Sequence, residues 1–248
     1  MPRRMSRNGR LYARPGPVLR PGPAGFFPLD TGGMRDSYLY IPPRYRPETP
    51  SPLMLVLHGS GGHAQHGLEL LRDLADETAT ILVAPASTGY TWDIMVRRFG
   101  SDLDMIDSAL EHVFAQYAVD AAHVAAVGFS DGASYALALG IANADLFTHV
   151  IAFSPGFVAH PAERGDGPRI FISHGTRDEI LPISACSRRI VPQLRSAGLD
   201  VEYVEFEGGH RIPPEIARRA AEWFTGSRVS VPGRHRLRLP ESRLRRED

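Results

Sequence analysis

The chain has 248 residues, a single cysteine, and a formal net charge of zero from 28 acids and 28 basic residues, every one of them Arg. The absence of lysine excludes a Schiff-base lysine, a Ser–Lys dyad and a P-loop lysine, and Cys186 has no partner for an internal disulfide. The length suits one domain with a substantial core, and its apolar runs are far too short to span a bilayer.

Residues 1–28 carry six Arg and no acid, and residues 226–248 carry seven Arg against Glu241, Glu247 and Asp248, so the body between them is acidic. Basic arms of this kind can meet an anionic partner, but their Pro and Gly content reads as solvated tails. Neither a nucleic-acid nor a membrane partner is expected. Met1–Arg10 has no apolar stretch for a secretory signal, which points to the cytoplasm.

In chain order, residues 1–28 read as a Pro/Gly-rich basic tail and structure is expected from Asp36–Ile41 onward, within a domain spanning 29–225. Short apolar runs at 54–57, 81–84, 124–128, 150–153, 169–173 and 201–206 have strand length. Segments with helical spacing separate them at 65–77, 103–117, 132–142, 187–197 and 214–224. Continuous apolar strands alternating with amphipathic helices predict an α/β fold with a mostly parallel sheet covered on both faces. Residues 226–248 read as a second, Arg-rich tail. Ligands of such sheets sit at the carboxyl ends of the strands, so the residues that follow each strand are the ones to inspect.

After the run 124–127 comes Gly128-Phe129-Ser130-Asp131-Gly132 and then an Ala-rich helix. A G-x-S-x-G between strand and helix makes a sharp turn that lifts the serine out at a helix N-terminus, where a developing anion is favoured. A serine nucleophile needs a base. His210 follows the run 201–206 and precedes the last helix, and the order Ser…Asp…His is that of a hydrolase elbow; His174, at the end of another strand, is the alternative. An orienting carboxylate is supplied by Asp178 in the loop after 169–173, with neighbouring Glu179 as its rival. The oxyanion hole is expected from the backbone N–H of Asp131 together with that of Ser60, Gly61 being second choice, in the loop after 54–57. The Asp131 carboxylate is expected to point away from the substrate.

Four segments carry a family resemblance: Leu57-His58-Gly59-Ser60-Gly61-Gly62, Gly128-Phe129-Ser130-Asp131-Gly132-Ala133, His174-Gly175-Thr176-Arg177-Asp178 and Gly208-Gly209-His210. With them, residues from about 36 to 225 resemble the esterase and phospholipase/carboxylesterase branch of the α/β hydrolases, including polyhydroxybutyrate-depolymerase-like esterases. The resemblance implies an α/β-hydrolase fold and hydrolysis of a small carboxylic ester, with no metal, nucleotide or prosthetic group. Asp131 stands where carboxylesterases of this branch often carry Gln, which leans toward the depolymerase-like esterases. A thioesterase, phospholipase or polyester depolymerase with the same triad is the alternative within the fold.

The connection Ser154–Pro168 is too short for a helical lid, so an open cleft without a large cap is expected. Trp92 and Phe157 are candidate substrate contacts, the alternative for each being ordinary loop packing. Two other functions compete. Gly59-Ser60-Gly61-Gly62-His63-Ala64 matches a dinucleotide-binding G-x-G-x-x-A, but the next strand ends in Pro85-Ala86 with no acid for a ribose. A non-catalytic binding module of this fold would be marked by a missing triad member, and none is missing.

Overall fold

The computed structural model describes residues 9–31, 35–95, 99–159 and 167–226. Among them, the chain forms strands β1 (Gly25–Leu29), β2 (Ser37–Ile41), β3 (Ser51–Leu57), β4 (Ile81–Ala84), β5 (Val119–Phe129), β6 (His149–Phe153), β7 (Arg169–Gly175) and β8 (Val201–Phe206). Helices α1 (Ala64–Thr78), α2 (Ser101–Gln116), α3 (Asp131–Ala142), α4 (Ser187–Ser196) and α5 (Pro214–Thr225) alternate with them. The described strands make one sheet in the order β1-β2-β4-β3-β5-β6-β7-β8. Pairing is antiparallel for β1–β2 and β2–β4 and parallel from β4 through β8.

The period of two along a strand sorts side chains between two cores. In β3, Leu53, Leu55 and Leu57 join residues of α2, α3 and α4 on one face. Met54 and Val56 face α1 and α5 on the other. Both faces are therefore covered, as the unbroken apolar runs predicted.

The N-terminal reading is corrected for residues 9–28. β1 starts inside the expected tail, where Pro28 and Gly25 disguise it. Proline is tolerated there because β1 is an edge strand paired only to β2. Upstream, Leu11 is buried, its N–H donates to Asn143 Oδ1 at 2.7 Å, and Asn143 Nδ2 donates to Gly9 O at 2.7 Å. The Tyr12 and Ala13 amides donate to Asp107 Oδ1, and Arg10 and Arg14 pair with Asp145. This basic segment thus meets acids of its own domain. Residues 1–8 and the Arg-rich tail at 227–248 lie outside the described residues, as does the 160–166 part of the Ser154–Pro168 connection.

Candidate active site

The strand order places the ends of β3, β5, β7 and β8 along one edge of the sheet. At the β5–α3 junction Ser130 adopts φ 56°, ψ −120°, a conformation a non-glycine residue holds only when its surroundings impose it. Those surroundings are specific. The Ser130 N–H donates to Phe153 O at 2.9 Å, and its carbonyl accepts from the amides of Ala133 and Ser134. A Cβ on Gly128 would collide with the Gly132 carbonyl, and one on Gly132 with the Leu57 carbonyl. The two glycines let three backbone segments close around the turn.

His210, in the loop after β8, reaches Ser130 Oγ with Nε2 at 2.9 Å and Asp178 Oδ2 with Nδ1 at 2.6 Å. Asp178 Oδ1 accepts from the amides of Ile180 and Leu181, at 3.0 and 2.8 Å. Burial pushes the Asp178 carboxyl up, but the Leu181 amide and the two imidazoles beside it outweigh burial and hold it below the ordinary carboxylate range. The three residues singled out in the sequence are therefore one hydrogen-bonded chain. The rivals fall elsewhere. Glu179 is exposed, and His174 is buried beside Asp178 with both ring nitrogens engaged.

The loop after β3 supplies the other half. Gly61 N–H is spent on Tyr90 O at 2.8 Å and Gly62 N–H on Gly59 O at 3.0 Å. Those bonds remove Gly61 as a donor and take both amides away from any pyrophosphate. Among the described residues, the amides of Ser60 and of Asp131, the first residue of α3, make no intramolecular hydrogen bond. The Asp131 carboxylate is drawn off by Thr91 Oγ1 at 2.6 Å, so its amide is presented without its charge.

What holds this loop was not legible in the sequence. His58 Nδ1 lies 2.7 Å from Gly59 O, which can only accept, so Nδ1 carries the proton; Nε2 then accepts from Ser87 N–H at 3.0 Å. Burial lowers the His58 pKa below its usual value and keeps this neutral form. Arg35 clamps the loop from outside, donating to Gly62 O, Ser87 Oγ and Gly89 O.

Trp92 is corrected as a substrate contact. Its side chain is fully buried, its Nε1 donates to His58 O at 2.8 Å, and its ring packs on His58 and Tyr135. It is a strut for the loop, not a wall of the cleft. Phe157 is 38% exposed beside the first turn of α3, its amide 3.4 Å from Ser134 Oγ. A cavity of about 350 Å³ adjoins the site, lined by the loop backbone and by Val56, Leu70, Leu71, Phe129, Phe153 and Ile212. The volume is at the small end for ligand pockets. No helix among the described residues is long and apolar enough to cross a membrane.

A family profile described as Phospholipase/Carboxylesterase matches residues 96–225. The chain is similar to NocK of Nocardia uniformis subsp. tsuyamanensis, 30% identical over 151 residues that span 55% of this chain and 42% of NocK. It is also similar to MhqD of Bacillus subtilis (strain 168), 27% identical over 198 residues that span 73% of this chain and 96% of MhqD. Among solved structures it is similar to the crystal structure of esterase PE8, with 25% identity and a TM-score of 0.58 over 83% of this chain and 98% of that one.

Proposed function

Since this chain belongs to the phospholipase/carboxylesterase family and has the α/β-hydrolase fold, we propose that it is a serine esterase that cleaves small carboxylic esters through an acyl-enzyme. The observation that carries the reading is the chain from Ser130 Oγ through His210 to Asp178, at 2.9 and 2.6 Å. Ser130 attacks the ester carbonyl while His210 Nε2 takes its proton. The new oxyanion lies against the Ser60 and Asp131 amides. His210 then gives the proton to the departing alcohol, and water, deprotonated by the same nitrogen, frees the acid. Asp178 fixes the His210 tautomer and faces the imidazolium. A small-molecule ester with a short-chain or small aromatic acyl group is the substrate class, supported by the small apolar cavity.

A fluorophosphonate probe should label the native protein and leave Ser130→Ala unlabelled. Ser130→Ala should remain folded and lose kcat by about 10³-fold or more. A series of acyl esters of increasing length should show turnover declining beyond short chains. Near-native turnover by folded Ser130→Ala would end the mechanism.

A further inference from the structure

Beside Asp178, His174 is buried on β7 and its side chain is fully closed off from solvent. Its Nε2 lies 2.8 Å from Leu181 O and 3.2 Å from Asp178 Oδ2. Its Nδ1 lies 2.6 Å from Oγ of Ser187, the first residue of α4. A peptide carbonyl and a carboxylate both accept, so the proton sits on Nε2, and the Ser187 hydroxyl donates to Nδ1. Every group in this cluster then has a partner of the right sign. Leu181 is held at both of its backbone groups: its carbonyl by His174, and its N–H by Asp178 Oδ1 at 2.8 Å.

We propose that His174, locked by Ser187, is a positioning residue that sets the place of Asp178 and through it the orientation of His210. The role rests on the reading of Asp178 as the acid of the triad. An acid held only by its own loop could turn and trade His210 for water. With Nε2–H on the Leu181 carbonyl and Nε2 against Asp178 Oδ2 at 3.2 Å, only the orientation that faces His210 Nδ1 remains. Burial lowers the His174 pKa, so it donates a neutral hydrogen bond and places no second positive charge beside the imidazolium that forms during turnover.

The test compares His174→Gln, whose amide nitrogen stands near the Nε2 position, with His174→Asn, whose amide nitrogen stands near Nδ1, and with His174→Ala. Two readouts are taken: kcat and KM on a short ester, and the far-downfield proton resonance of the His210 Nδ1–H···Asp178 bond. His174→Ala should lower kcat by about 10- to 100-fold, the usual scale for removing an outer partner of a catalytic group, with KM little changed. His174→Gln should recover most of that loss and retain the downfield proton. His174→Asn should do neither. A native kcat in folded His174→Ala, or a Gln variant no better than the Asn variant in both readouts, would overturn the proposal. Should His174→Ala fail to fold, the Gln and Asn pair still decides. The proton signal needs no substrate, so the proposal is judged even if Ser130 proves not to be a nucleophile.

Discussion

Asp178 differs from its neighbour Glu179 in what touches it, and replacing each should separate their roles. Asp178 accepts from two amides and from His210, whereas Glu179 is exposed. Asp178→Asn keeps the shape but offers His210 an amide N–H where it needs an acceptor, so kcat should fall by about 10³- to 10⁴-fold. Glu179→Gln should leave kcat near native. Steady-state kinetics on both variants is the check, and the reverse order would mean that the acid has been misassigned. Ser130, His210 and Asp178 were legible in the sequence because each follows a recognisable strand, and this topology gathers strand ends. Trp92 was not. An aromatic residue in a loop can line a cleft or fill a core, and what decides it here is a carbonyl on another segment, that of His58. Arg35 was hidden for the same reason: its acceptors lie 27 to 54 positions away in the chain.

At the scale of elements, helices and parallel strands were readable to within a few residues, while the first strand and the segment before it were not. β5 begins at Val119, well before the apolar run that announces it, because its early residues are partly exposed. The docked segment 9–14 has no periodicity; side chains from α2 and the end of α3 specify it. Asn143 is the main specifier, fully buried and bonded to Leu11 N–H and Gly9 O. Asn143→Ala would strand both backbone groups, and a cost of about 2–4 kcal/mol is expected. Urea unfolding should show the lower midpoint, and limited proteolysis should cut within residues 9–22 sooner than in the native chain. An unchanged midpoint would mean that the segment contributes nothing to stability.

For the whole molecule, His149 and Asp93 link stability to pH with opposite signs. His149 is pushed down to about 4 by burial, with Arg169 and His123 adding to it. Its contribution is complete above its unfolded value of about 6.5 and is lost as pH falls toward 4, on the order of 3 kcal/mol. Asp93 is pushed up to about 6 by burial and by Asp102. Its contribution is complete below its unfolded value near 3.8 and is lost as pH rises through 6, by a similar amount. In the native chain the two trends oppose one another across the shared window, with His58 and His174, also lowered by burial, acting in the sense of His149. Against the native curve, His149→Gln should lose less stability as pH falls, and Asp93→Asn should lose less as pH rises. Unfolding free energies measured from pH about 4 to 7 would reveal this, and parallel curves for both variants would refute it.

The sheet also has two outer margins. On β1, Pro28 has no N–H to offer a further strand; on β8, Glu202 and Glu205 stand along the edge with Arg219 and Arg188 beside them. One margin lacks a donor at one position and the other carries charge, two of the ways natural edges refuse additional strands. Cross-β growth needs an edge that accepts the next chain. Among the described residues, each flank therefore carries a feature that opposes the docking of a further chain, the first step toward a fibre.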